Sequence, residues 1–411
     1  MCTSSKSCCK PSHLDTLEQL ATNNGFSEEL PINKSTGIKD IKALRNRAKR
    51  KFLQLPLVFG LINLIEHYEE LLLSSADTYT SQQIKDLEYY QANKKRFWNM
   101  YHCAKQVVVD QDKVRSKYCK SRLCIICNSI RQADIINKYE LVVNSWKEGP
   151  QFLTLTIKSV SGPKLRTAIQ SMQKIVTAFR KRLNKRVERE LAKRLKFCQS
   201  EEEEQAVRAD VDNTLRFMGF RTIESNYNAR TNEYNPHFHI IVRHEMHAEE
   251  LLDYWQKTAP LKGWRLEKGG QDIKPVTEGS LIEICKYFTK LTAKLPKGEL
   301  KPGEPTRAVY LESVLTIFDA FYRIRAFQNF GFKISDFDIE EGHQAPSLTT
   351  GENEEEELEP LDPPTIGIYE YNEQIGDWFS TITGEPLTGH EASESLTKVA
   401  KNVRYPKDYY K

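Results

Sequence analysis

The chain has 411 residues, 39% hydrophobic and 28% charged, which is long enough for a sizeable core and roughly two or three structural units. Its net charge is only +4, so the sequence as a whole is not a polycation, although charge is strongly segregated along it. No run of about 18 apolar residues suggests a membrane span, and MCTSSKSCCKPS lacks the apolar core of a signal peptide.

A cytoplasmic location is therefore expected, with no membrane partner. In a reducing compartment the nine cysteines read as metal ligands or free thiols rather than disulfides.

Four regions are expected. Residues 1–96 are a polar, then helical, N-terminal segment, with helices over 41–75 broken near Pro56 and Gly60. Residues 97–150 are a Cys-rich segment followed by a helix that stops at Gly149 and Pro150. Residues 151–345 carry the clearest alternation of strands and helices. Residues 346–411 are an acidic linker, GENEEEELEP at 351–360, and a polar tail with no assignable role.

Within the Cys-rich segment, Cys119, Cys124 and Cys127 are spaced C-x4-C-x2-C, with Cys103 upstream. The C-x2-C knuckle suits tetrahedral zinc, and Cys103 or His102 would supply the fourth ligand. The same residues would also serve as buried free cysteines packing like small hydrophobes.

FLTLTIKSV (152–160) alternates apolar and polar residues and predicts a strand, in which Thr154 and Thr156 read as structural. Residues 163–218 read as mostly helical. They include the basic stretch 180–196 with Arg180, Lys181, Arg182, Lys185 and Arg186, followed by the acidic SEEEEQ. Such a helix suits phosphate neutralisation on DNA, and equally a solvated face of Glu-Arg pairs. FRTIESNYN (220–228) and EYNPHFHIIVRH (233–244) predict a hairpin, followed by helices over 246–259 and 280–294.

Side chains alternate across a strand, so His237 and His239 share one face and can converge on one divalent cation. An isolated His-x-His also occurs as two hydrogen-bonded surface histidines. In LIEICKYFTKLTAK (281–294), Glu283, Tyr287 and Lys290 share a helix face opposite an apolar stripe. A tyrosine can attack phosphorus, a lysine can stabilise the phosphate charge and a carboxylate can take a proton. The same trio would fit an ordinary solvated face.

In order along the chain, FLTLTIKS, FRTIES, NPHFHIIV and EICKYFTK resemble the plasmid rolling-circle replication initiators of the HUH endonuclease superfamily, over roughly residues 97–340. The resemblance implies an α+β fold, with a central antiparallel sheet, flanking helices and a nicking-joining domain at 151–345. It also implies metal-dependent nicking of single-stranded or hairpin origin DNA through a 5′-phosphotyrosyl intermediate. His237 and His239 match its metal ligands, Tyr287 its nucleophile, Lys290 the lysine one turn later and Glu283 a carboxylate of some members. Glu224 is the candidate third metal ligand. Mg2+ or Mn2+ would act at the histidines and Zn2+ at the cysteines, with a host helicase and DNA polymerase as partners. The competing readings are a non-catalytic zinc-knuckle DNA-binding factor in replication or copy control, and a relaxase or transposase of the same superfamily.

Overall fold

The computed structural model describes residues 36–37, 41–74, 79–110, 113–267, 269–277, 279–281, 284, 307–337 and 367–389. It is α+β, with two antiparallel five-stranded sheets and helices. The chain forms two compact units, one of residues 1–128 and 349–411, the other of residues 129–348.

The first unit begins with strand β1 (Thr36–Gly37) and helices α1 (Ile41–Ser74) and α2 (Ser81–His102). The expected break near Pro56 and Gly60 is absent, because α1 is one helix of 34 residues that continues through both. An internal proline costs about 3 kcal/mol. Buried Leu44, Phe52, Leu55, Leu57, Val58, Leu61, Ile62 and Ile65 on the same helix outweigh that cost, since each large apolar side chain contributes about 1.5–3 kcal/mol. Helix α2 starts at a capping box, in which Thr80 Oγ1 accepts from the Gln83 amide and Gln83 Oε1 accepts from the Thr80 amide.

Strands β2 (Gln106–Asp110) and β3 (Lys113–Ser116) lead to α3 (Ile125–Ser145). Two strands from the distant C-terminal part, β9 (Gly367–Asn372) and β10 (Asp377–Ser380), complete this sheet in the order β1-β3-β2-β9-β10. The polar, aromatic tail thus supplies two of its five strands.

The second unit contains β4 (Gln151–Thr156), α4 (Gly162–Leu195), α5 (Glu201–Leu215), β5 (Gly219–Asn228) and β6 (Glu233–Val242). It continues with α6 (Glu245–Leu261), β7 (Asp272–Pro275), α7 (Arg307–Ala320) and β8 (Phe327–Phe330). The sheet order is β7-β4-β6-β5-β8, so the histidine strand β6 is central. Pro236 is tolerated there because it precedes the last β4 pair, Thr156 with His237, so β4 runs no ladder past it.

Strand parity divides the residues between two faces. Leu153, Leu155, Ile223, Phe238, Ile240 and Val242 turn to one face, where α4, α6 and α7 cover them with Leu165, Met172, Phe179, Leu251, Trp255 and Ile317. Phe152, Phe220 and Ile241 turn to the other, under Tyr139, Val142 and Val143 of α3, under Trp146 just after it, and under Leu281 and Ile284.

Candidate functional site

The second face is apolar at one end only. Along β6 the side chains that follow Ile241 toward the hairpin turn are His239 and His237. Opposite them stand Thr154 and Thr156 on β4, and Thr222 and Glu224 on β5. The register pairs Thr154 with His239 and Thr222 with His239, and it pairs Glu224 with His237. Two histidines, a carboxylate and three threonines therefore share a polar patch next to an apolar cluster.

The patch is buried: Glu224 is 9% exposed, His237 6% and His239 4%. Glu224 stands between the imidazoles, with Oε2 3.4 Å from His237 Nε2 and Oε1 3.5 Å from His239 Nε2. These separations exceed ordinary N–H···O hydrogen bonds of about 2.7–3.2 Å. They suit donors sharing one cation, whose ligand atoms stand about 3–3.4 Å apart when metal–ligand bonds are about 2.0–2.2 Å. One donor atom from each of the three residues lies within 4.8 Å of the others. The residues present therefore fit a divalent cation.

The opposite ring nitrogens are also engaged. His237 Nδ1 is 3.0 Å from the Asn235 carbonyl, and His239 Nδ1 is 3.3 Å from Thr154 Oγ1. With Nδ1–H donating to each oxygen, both Nε2 atoms turn their lone pairs toward Glu224. This is the outer contact that fixes tautomer and ring angle in metal-binding histidines. The ring of His239 also packs on Phe152, with centroids 5.3 Å apart. On β4, Gln271 mimics a strand, accepting from the Thr156 amide and donating to the Thr156 carbonyl.

Tyr287, Glu283 and Lys290 lie outside the described residues. The chain leading to them is anchored by buried Leu281 and Ile284, which pack against Phe152, Phe220 and Ile241 on the histidine face.

The cysteines form a second group. Cys103, Cys119, Cys124 and Cys127 each place a sulfur within 4.8 Å of the others. Sγ–Sγ distances are 3.5 Å for Cys103–Cys127, 3.5 Å for Cys124–Cys103 and 3.7 Å for Cys119–Cys127. Tetrahedral Zn–S bonds of about 2.3 Å require sulfurs about 3.8 Å apart, so this donor set fits zinc. His102 packs instead on Trp98 and Tyr101.

Amides support the sulfurs: Cys119 donates to Cys103 Sγ and Cys127 to Cys124 Sγ, each at 3.4 Å. Left-handed Ala104 and Lys120 make the turns after Cys103 and Cys119. Burial pushes the Cys103 thiol well above its usual range. Hydrogen bonds from Cys103, Cys119 and Cys124 hold Cys127 far below it.

Lys51 of α1 is fully buried beside them, donating to the Tyr101 and Cys103 carbonyls at 2.8 Å. Burial lowers its pKa to about 8, against the opposing pull of Cys103 and Cys124. From the C-terminal hairpin, Trp378 Nε1 donates to the Ala104 carbonyl and the Tyr371 amide to the Lys105 carbonyl, each at 2.8 Å.

The basic stretch lies on α4. Lys181, Arg182 and Lys185 are exposed, while Arg180 and Arg186 are half-buried. Arg186 pairs with Glu250 at 2.8 Å and Arg182 lies over the Tyr254 ring. The acidic run opens α5 and places Glu201 to Glu204 at its N-terminus, where the helix dipole favours negative charge. Arg194 bridges back to Asp210 of α5.

Sequence reasoning missed Thr154 as a partner of His239 and Lys51 as a partner of the cysteine loop. The polar alternation in FLTLT already marked Thr154 as facing away from the core, but only strand register gives it a neighbour. Lys51 ends the basic run RNRAKRK (45–51), and nothing in the sequence sets it apart from its exposed-type neighbours.

No protein-family profile matches the chain, and no solved structure matches it. No described helix is long and apolar enough to cross a membrane. Among curated proteins, the chain is similar to "Protein rep" of Bacillus sp, with 24% identity over 229 residues. That match covers 49% of this chain and 66% of the relative, so the chain spans a little under two thirds of the relative's length.

Proposed function

We propose that the chain is a replication initiator that nicks and rejoins single-stranded origin DNA through Tyr287, in an HUH-like nicking-joining domain. The observation that carries this reading is the buried patch on β5 and β6, where Glu224 faces Nε2 of both His237 and His239. The similarity to a protein named "Protein rep" supports replication as the process.

Glu224, His237 and His239 would hold Mg2+ or Mn2+, which would supply Lewis-acid stabilisation of charge on the scissile phosphate. Thr154 and the Asn235 carbonyl hold the imidazoles in the ligating tautomer. The Tyr287 oxygen attacks phosphorus, the P–O3′ bond breaks and the leaving 3′ oxygen takes a proton from water. Glu283 takes the tyrosine proton, which it later loses to solvent, and Lys290 steadies the phosphate charge. The product is a 5′-phosphotyrosyl ester and a free 3′ hydroxyl, which a host polymerase extends behind a host helicase. Glu283 can then activate water for the cut that ends the round, since Lys286 and Phe288 beside Tyr287 offer no second tyrosine. The four-cysteine group would hold Zn2+ as a structural site, and the basic face of α4 would contact DNA phosphates.

The test is incubation with labelled single-stranded origin DNA, with and without Mn2+. A covalent protein–DNA band that requires both the metal and Tyr287 is expected. No band from the intact protein, or an undiminished band from Tyr287→Phe, would overturn the reading.

A further inference from the structure

On the sheet face opposite the histidines, Arg221 of β5 is buried with no carboxylate paired to it among the described residues, and Arg180 of α4 and Arg325 of the loop before β8 add two further cations to its surroundings. Arg221 of β5 is 4% exposed, although arginine is almost never fully buried unless paired. Its Nη2 donates to Gln328 Oε1 of the edge strand β8 at 2.9 Å, and its guanidinium lies 5.0 Å from the Phe238 ring centroid. Its Nη1 is buried and has no hydrogen-bond partner among the described residues. Burial first, then the charges of Arg180 of α4 and of Arg325 before β8, lower the Arg221 pKa to about 10.

The fold fixes the Arg325 backbone from two sides, and the Ile223 amide of β5 donates to the Ala326 carbonyl next to it at 3.0 Å. Arg166, Gln173 and Arg180 recur every seven residues and so line one stripe of α4. Arg166 Nη1 donates to the Asp319, Ala320 and Tyr322 carbonyls at 3.0, 3.3 and 2.9 Å, tying down the end of α7. Gln173 Nε2 donates to the Arg325 carbonyl at 3.2 Å. The stripe that carries Arg180 therefore also fixes the backbone of Arg325.

A buried guanidinium with an unused donor is destabilising, and two further cations add repulsion. An oxyanion would take the free Nη1 donor and relieve that repulsion, and guanidinium groups match phosphate geometry. We propose that Arg221, Arg180 and Arg325 form a binding site for a phosphate group, carried either by a nucleic-acid strand or by free phosphate. The site does not depend on Tyr287 chemistry or on a metal at the histidines.

The full-length protein tests this in two assays, neither of which reads nicking. The first is thermal melting in sodium phosphate against sodium chloride at matched ionic strength. The second is anisotropy of a labelled single-stranded oligonucleotide across a salt series. The wild type is expected to melt higher in phosphate, and exposed Arg325→Gln to lose most of that rise. If the ligand is a strand phosphate, Arg325→Gln also weakens oligonucleotide binding about 3- to 10-fold. It should then reduce the log–log salt slope by about 0.7 for each phosphate no longer neutralised. Loss of the phosphate response with unchanged oligonucleotide binding assigns the site to free phosphate. Arg221→Lys, which keeps the charge but not the fork, should lose the same response if it folds. An unchanged phosphate response and an unchanged salt slope in Arg325→Gln would overturn the proposal.

Discussion

The two donor clusters differ in what they leave open. In the first unit four cysteine sulfurs stand 3.5–3.7 Å apart along three of their edges, and as thiolates they would fill all four positions of a tetrahedral zinc. In the second unit one carboxylate and two imidazoles make three ligands, short of the six that Mg2+ takes. A closed set of soft donors suits a structural ion. An incomplete set of harder donors leaves coordination positions for substrate oxygen and water. The supports differ in the same sense. Backbone turns, amides and a buried lysine hold the sulfurs, whereas single oxygen contacts orient the imidazoles on a rigid sheet. The two sites should therefore respond separately to every perturbation.

The largest effect should come from the closed site. Cys124→Ser should eliminate bound zinc and melt the first unit, because structural zinc contributes on the order of 10 kcal/mol to folding of small zinc modules. Intact-mass spectrometry should count about one zinc per wild-type chain, and His237→Ala should leave that count unchanged. Loss of zinc from His237→Ala would erase the contrast between the clusters.

Next comes the open site. The double change His237→Ala and His239→Ala should lower nicking by about 1000-fold or more, with the melting temperature close to wild type. Full nicking by this variant in added Mn2+ would remove the histidines from the mechanism.

His247 provides a control in the same unit, since it is buried but belongs to neither donor group. Burial first, then His244 and Arg186, lower its pKa to about 4, against an opposing pull from Glu250. The unfolded chain takes up a proton near pH 6.5 while folded His247 stays neutral. Stability should thus be full above pH 6.5 and fall by about 2–3 kcal/mol as pH drops toward 4. Urea unfolding at several pH values should show that loss reduced in His247→Phe and unaffected by Mn2+.

The smallest effect concerns orientation. Thr154→Val removes the oxygen at His239 Nδ1 and should weaken Mn2+ binding about 10-fold, the lower end for removing an outer hydrogen bond of this kind. Thr154→Ser should restore it. Equal Mn2+ affinity in all three proteins, measured by calorimetry, would make Thr154 merely structural.

How much of this was legible in the sequence followed from how local each signal was. Period-two alternation gave both strands of the β5–β6 hairpin and put the histidines on one face, because parity needs no tertiary information. Glu224 was found for the same reason, as the acidic residue of the neighbouring strand. The cysteine group was readable from spacing. The long helix through Pro56 was not, because a local breaker was outweighed by burial that only the folded unit supplies. Strands β9 and β10 were not either, since segments of four to six residues gain meaning only from their partners, β2 for β9 and β9 for β10. The arginine cluster draws on residues 180, 221 and 325, which no window spans.

The C-terminal hairpin has a consequence for how the protein is made. Residues 371 and 378 hold the carbonyls of the loop that follows Cys103, and β9 pairs with β2. A ribosome releases the whole second unit, residues 129–348, before it releases these clamps. During synthesis the cysteine loop therefore waits, with its sheet two strands short, while some 220 residues emerge between its halves. A nascent chain stalled before residue 367 would carry a finished second unit beside an unlocked first one.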